Sequence, residues 1–330
     1  MRTRSLILAL FFYGALLQAQ HTFSIVALDT LTGEIGSAGA SCLDNLQFPG
    51  SGGAIIISDL LPGKGAIHSQ AQWNSTNQQN ARLKMQEGLS PEEILLWLKT
   101  HDTGGIIGSY SRQYGIVDFD SMGHPRSAGF TGNSCLQWRG HKLGANYAIQ
   151  GNILLGPQIL DSMEARFLSS SGPLADRLMA ALQGANVVGA DTRCTSNGTS
   201  SLSAFLRVAK PGDTTGVLYL DLNVPVVPAG MEPIDSLQRR YNNWKLTGVL
   251  EPIVAQVNIY PNPAISSVVV EFEGRLGTVD FISPQGQLLS SLRLQQGQNM
   301  LSPTLPQGLV FVRVRADGVP VTTRKIWWGN

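Results

Sequence analysis

Cysteine is scarce in this 330-residue chain: Cys42, Cys135 and Cys194 are all it has. Three permit one disulfide and leave one thiol over, and the sequence does not choose the pair. No histidine stands in a papain-like pattern around Cys42 or Cys135, so nothing marks a thiol nucleophile. The histidines, His21, His68, His101, His124 and His141, show neither HExxH nor paired ligand spacing. They read as structural or surface residues, and no metal site is expected. The stretch "GSGGA" at 50–54 is not followed by Lys-Ser/Thr and a helix, which excludes a phosphate loop, and no cofactor is expected. There is no Lys/Arg run, and 24 basic residues stand against 23 acidic ones. That balance supplies no attraction for nucleic acid or an anionic membrane. Past residue 20 no apolar run is long enough to form a transmembrane segment.

What is present begins with a leader. Arg2 and Arg4 precede the apolar run "LILALFFYGALL", and "LQAQ" follows with the small residue Ala19. This is the pattern of a secretory signal over residues 1–20. Its removal takes two basic charges and no acidic one, leaving one acid in excess. The compartment is oxidising, which suits a disulfide. Cleavage after Ala19 leaves Gln20 and His21 ahead of Thr22.

From Thr22 the pattern is two-period. "TFSIVALD" and "EIGSAGAS" flank the turn "TLTG", and "GGAIIIS" and "GKGAIHSQAQ" read as two more strands. Two helices follow, "NSTNQQNARLKMQEG" and "SPEEILLWLKTHD". In the second, Ser90, Pro91 and Glu93 form a capping box. "RQYGIVDFDSMGHPRSAGFTG" reads as a hairpin and "NYAIQGNIL" as a strand. A second helical pair, "PQILDSMEARFL" and "GPLADRLMAALQG", carries apolar residues at helical spacing. Two strands and a short helix around "PIDSLQRRYNNWKL" close the domain. Helices arriving in pairs between groups of strands predict an α+β fold of two sheets between two helical layers, a four-layer αββα sandwich. After "LTGVLEPIVAQ" helical periodicity stops, and short strands between Pro/Gly turns predict a small all-β sandwich. The expected division is a domain over 21–247, a linker over 248–255 and a C-terminal domain over 256–330.

The C-terminal part resembles the sorting domain of the type IX secretion system. The resemblance is carried by "IYPNPA" from Ile259 to Ala264, "DFISPQGQLL", "LPQGLVFVRVRADG" and a last strand with Lys325. It implies export through that machinery, recognised via 256–330, to the medium or the outer cell surface. Residues 22 to about 247 resemble the bacterial family called domain of unknown function 1028. The matching stretches are "TFSIVALD", "TGEIGSAGAS", "GAIHSQAQWN", "QYGIVDFDSMG", "FTGNSC", "YAIQGNILLGPQIL", "GADTR" and "IDSLQRRY". That resemblance implies a fold like that of N-terminal nucleophile hydrolases and puts Thr22 in the nucleophile position.

An N-terminal threonine can act alone, because its own α-amine, with a pKa near ~8, can take the hydroxyl proton. Gln20 and His21 stand against this unless a second trimming step removes them. The family-matched polar positions expected to gather near Thr22 are Ser41, Gln70, Asn74, His141, Gln150, Asn152, Asp191 and Arg193. Each has a plainer reading: Gln70 and Asn74 as caps of the next helix, Asp191 and Arg193 as a pair across a turn. Where the family has Ser-Arg this chain has Ser41-Cys42, and where it has glycine this chain has Cys194. Either cysteine then suits a disulfide tethering the loop that carries Asp191. Two functions follow: a secreted amide-cleaving hydrolase acting on a peptide or small acylated amine, or a non-catalytic surface protein that uses the same fold for binding.

Overall fold

The computed structural model describes residues 22–248, 257–316 and 319–329. The expected leader and most of the expected linker lie outside the described residues. The chain divides into two compact units, Met1–Asn242 and Asn243–Asn330.

In the first unit β1 (Thr22–Leu28) and β2 (Ile35–Ser41) form a hairpin. Then come β3 (Ser58–Leu61), β4 (Gly65–Ala71), α1 (Ser75–Gln86), α2 (Pro91–Thr100), the single turn α3 (Gly105–Ser109), β5 (Arg112–Phe119) and β6 (Pro125–Thr131). The rest comprises β7 (Gly140–Gly144), β8 (Tyr147–Gly151), α4 (Gln158–Ser169), α5 (Leu174–Gly184), β9 (Ser203–Ala209), β10 (Leu220–Val224) and α6 (Pro233–Gly248). Six strands pair antiparallel in the order β10-β9-β2-β1-β8-β7, and four in the order β3-β4-β5-β6. Helices α1 and α2 pack on the four-stranded sheet, α4 and α5 on the six-stranded one, and the two sheets face each other through β1, β4, β5 and β8. Every residue of β1 and β2 is buried, because both strands are central and covered on both faces.

The small residues of β2 have a packing reason. A Cβ on Gly36 would fall 2.3 Å from Leu178 Cδ1, so the absent side chain lets α5 lie directly on the strand. Between the sheets, Val26, Leu28, Leu60, Ala66, Val117 and Ala148 make an apolar contact at one end only. The other end is polar.

Two local features differ from the sequence expectation. Residues Gly53–Ile57 of "GGAIIIS" form a 3-10 turn rather than a strand, which starts at Ser58. Gly52 and Gly53 both take positive φ (71° and 79°), and the Ala54 N–H donates to Ser203 Oγ at 2.9 Å, which turns the chain inward. The edge strand β7 was not expected, since "GHKLG" is polar, glycine-rich and alternately exposed.

Helix α6 runs past the division at Asn242, and beyond its end at Gly248 the described part of the second unit is all-β, with β11 (Asn258–Tyr260), β12 (Val268–Ile282), β13 (Leu288–Leu301), β14 (Gly308–Ala316) and β15 (Val319–Trp328). The order is β11-β12-β14-β15, with β13 also on β12. Alternate residues Val310, Val312 and Val314 point inward with Val268, Val270, Phe281, Ile326 and Trp328.

Replacing Gly36 by valine is expected to lower the unfolding free energy by about 1–3 kcal/mol, the usual cost of overfilling a packed core. Urea denaturation of the two proteins checks this; an unchanged midpoint would mean that α5 is not seated on β2.

Candidate functional site

Period-two alternation puts Thr22 and Ser24 of β1, Ser37 and Ser41 of β2, His68 and Gln70 of β4, Gln113 of β5 and Gln150 of β8 on faces turned toward the opposite sheet. All are buried. A buried polar group left unbonded costs about 1–3 kcal/mol, so a layer of this kind holds only if its members satisfy one another. They largely do. Ser24 Oγ donates to Gln70 Oε1 at 2.6 Å and accepts from Gln150 Nε2 at 2.6 Å. Gln70 Nε2 donates to the Thr22 carbonyl at 3.0 Å and to Gln113 Oε1 at 2.8 Å. The two N–H groups of Gln113 Nε2 are then shared among three acceptors, the carbonyls of Gly140 and Gly151 at 3.0 and 2.9 Å and Thr131 Oγ1 at 2.9 Å. Asn152 Nδ2 donates to Gln113 Oε1 at 2.9 Å.

His68 ends the network in the interior. Gln150 Nε2 donates to its Nδ1 at 3.1 Å, so the ring proton sits on Nε2 and is donated to Ser37 Oγ at 2.6 Å. Ser37 Oγ meets Ser58 Oγ at 2.8 Å. Complete burial, reinforced by the positive Arg207, pushes the His68 pKa down to about 3, so the ring is neutral in any physiological medium.

Thr22 opens β1 and stands opposite Ser41 in the hairpin register. Its carbonyl takes two donors, Gln70 Nε2 and the Asn152 N–H at 3.2 Å. Its hydroxyl is buried and has no hydrogen-bond partner among the described residues, as is also true of Gln150 Oε1. Asp191 is fully buried nearby: its Oδ2 accepts from the Cys42 N–H at 3.1 Å, while Arg193 donates through Nε at 2.9 Å and through its terminal nitrogen at 2.5 Å. The Thr192 N–H donates to the Ile153 carbonyl at 3.0 Å, which joins this loop to the residues after β8. A disulfide links Cys42 and Cys194, which are 152 positions apart in the chain, with a Cα separation of 5.7 Å. It fastens the Asp191 loop to the end of β2 beside Ser41. Thus Thr22, Ser41, Gln70, Gln150, Asn152, Asp191 and Arg193 come together at one end of the sheets.

Asn74 and His141 do not join them directly. Asn74 is the N-cap of α1, accepting from the Asn77 N–H at 2.9 Å. His141 is exposed on β7, and its Nδ1 meets Thr131 Oγ1 at 2.8 Å, so it reaches the network only through Thr131 and Gln113. The residues that sequence reasoning missed are Ser24, Ser37, His68 and Gln113. The available signal was alternation, since each lies an even number of positions from a chosen residue or an inward-facing one on its own strand. Two non-glycine residues in left-handed backbone flank the site: Ala71 (φ 75°), directly after Gln70, and Ile153 (φ 53°), directly after Asn152. Such conformations cost about 1–3 kcal/mol each and persist where the surroundings over-determine them. The remaining thiol, Cys135, is buried, and burial pushes its pKa up to about 11, so it is a neutral thiol with little nucleophilic character. Among the described residues there is no metal-holding cluster of His, Cys, Asp or Glu, and no helix is long and apolar enough to cross a membrane.

The architecture is that of a mixed α/β domain of antiparallel sheets with a separate β tail. Residues 22–236 match the Family of unknown function (DUF1028), and the chain belongs to that family. Residues 258–327 match a secretion system C-terminal sorting domain. That tail marks the protein for the type IX machinery and for release to the cell surface or the medium. A crystal structure of protein SPO2555 from Silicibacter pomeroyi, of the same family, is similar at 24% identity and a TM-score of 0.53, covering 68% of this chain and 89% of that one. A "Biofilm associated protein - BSP domain" aligns with 96% of this chain and 53% of its own at 10% identity, but its TM-score of 0.22 carries no argument. No curated protein matches the chain.

Two outcomes follow from this geometry. The unfolded chain binds a proton at His68 below its ordinary pKa of about 6.5, whereas the folded one does not until about pH 3. Stability from this group is therefore whole above neutrality and falls with decreasing pH, by about 2 kcal/mol between pH 7.5 and pH 5. His68→Gln should remove that portion of the pH slope in denaturant titrations at the two pH values; parallel slopes would refute neutral burial. Separately, Cys42→Ser with Cys194→Ser should cost about 2–5 kcal/mol because the closed loop is long. It should also speed hydrogen exchange at the Cys42 amide, which loses its fixed Asp191 acceptor.

Proposed function

We propose that the first unit is a hydrolase of the N-terminal nucleophile type, exported by the type IX machinery, which cleaves an amide bond in an extracellular peptide or small acylated amine. On this reading the order of helix pair, sheet, sheet and helix pair is the αββα sandwich of that class. The observation that carries it is Thr22: the first residue of a central strand, its carbonyl clamped by Gln70 and Asn152, its hydroxyl buried with no partner among the described residues. Holding the backbone from both sides while leaving the hydroxyl unengaged suits a group that must present its oxygen to a substrate. The two left-handed residues beside Gln70 and Asn152 support the same reading.

The reaction needs a free amine at Thr22. Its Oγ attacks the amide carbon, the hydroxyl proton passes to the α-amine and from there to the departing amine, and water then cleaves the ester so formed. Cleavage of the leader after Ala19 leaves Gln20 and His21 in place, so a second trimming step is part of the proposal. With His68 held neutral and out of reach beyond Gln150, the α-amine is the base available to the hydroxyl. A second reading, a non-catalytic binding protein on the same scaffold, draws on the neutral amides that dominate the layer and on Cys42 standing where the family carries arginine.

Intact mass and N-terminal sequencing of the protein recovered from its host, paired with an amide-substrate screen, test the proposal. A chain starting at Thr22 whose turnover falls by about a thousandfold or more in Thr22→Ala, with partial activity in Thr22→Ser, is the expected result. A chain starting at Gln20 that turns over substrate equally well as Thr22→Ala would overturn it.

A further inference from the structure

Helix α2 and β6 border an open cleft of about 300 Å³ that the polar network does not use. One wall is a stripe of α2 comprising Glu92, Leu95, Leu96 and Lys99, residues that share a helical face. The back of the cleft is β6 itself, and Leu143 of β7 closes the far side.

β6 is the last strand of its sheet. The hydrogen bonds from the Gly132 N–H to the Arg112 carbonyl and from the Asp120 N–H to the His124 carbonyl, each 2.9 Å, set the alternation of its ladder with β5. Ala128 and Phe130 therefore turn their backbone groups toward β5, while Ser127 and Gly129 turn theirs outward into the cleft. An open strand edge of this kind pairs with another extended chain.

The charges give that chain a length and a direction. Neither Glu92 nor Lys99 forms an ion pair within 4 Å of another described residue, although Arg126, itself paired with Asp118, lies within electrostatic reach of Glu92; Lys99 Nζ lies 5.4 Å from the centre of the Phe130 ring. Their spacing along the helix is about 10.5 Å, the reach of about three extended residues. Lys99 marks the Phe130 end of β6, so α2 runs with the strand and Glu92 lies toward Pro125.

We propose that this cleft binds a short extended peptide with free termini, running parallel to β6. Its amine lies at Glu92, its carboxylate at Lys99, its backbone on Ser127 and Gly129, and an apolar middle side chain against Leu95 and Leu96. The proposal does not depend on Thr22 or on hydrolysis.

The probe is the tripeptide Ala-Leu-Ala, titrated into the isotope-labelled full chain with amide resonances followed by NMR. Saturable shifts centred on the Ser127 and Gly129 amides are expected. Lys99→Glu should weaken the free acid about fivefold and leave the C-terminal amide unchanged. Glu92→Lys should do the same for the free amine relative to the N-acetyl form. Both positions lie at the cleft rim, so the unperturbed remainder of the spectrum reports an intact fold. Absence of shifts at Ser127 and Gly129, or equal binding of free and capped peptides, would overturn the proposal.

Discussion

Gln113 projects from β5 into the space between the sheets at the point where apolar contact gives out, and its side-chain amide bonds across it. Its nitrogen donates to the Gly140 and Gly151 carbonyls of the six-stranded sheet, while its oxygen accepts from Gln70 of its own sheet and from Asn152. Apolar contact is indifferent to small slides of one sheet over the other. An amide bonded on both sides is directional, and the geometry at Thr22 inherits that registration through Gln70 and Asn152. The polar layer thus exchanges hydrophobic stabilisation for a fixed alignment, which a binding or catalytic site needs and a plain core does not.

The disulfide acts on a part of the site that the sheets do not supply. Asp191 arrives on a loop, and without the Cys42–Cys194 link that loop would be held by Asp191's bonds and by its ladder contacts with the residues after β8. Export to an oxidising compartment makes such a fastening available, and the sorting tail at 258–327 places the protein there. Localisation and site construction are in this sense coupled: the site is built from a bond that a reducing cytoplasm would not sustain.

Family membership and fold agree with each other, and neither assigns a reaction. The family is one of unknown function, and a structural neighbour at 24% identity speaks to the chain path alone. What narrows the chemistry is local: a clamped threonine backbone, a hydroxyl with no described partner, a histidine locked neutral, and a buried thiol too basic to serve as a nucleophile.

Signals that act within a few residues were open to reading in the sequence. The capping box of Ser90 and Glu93 starts α2 because its bonds close within one turn. Alternation in "TFSIVALD" gives a strand because neighbouring side chains must face opposite ways. The tail could be recognised from its turns. Polar residues gathering near Thr22 could be expected as a set, but not their partners, because Ser24 meets Gln70 across 46 residues and Gln150 across 126. Asn74 shows the limit from the other side, since a residue just ahead of a helix can cap it without any tertiary contact, and it does. The sequence by itself determined most of the strands and helices, though not the turn at Gly53–Ile57 or the edge strand β7, and where the protein is sent. Only the tertiary structure decided that Cys42 pairs with Cys194, that His68 is sealed inside, and that Gln113 bridges the sheets, because those depend on directional contacts between residues that chain order keeps apart.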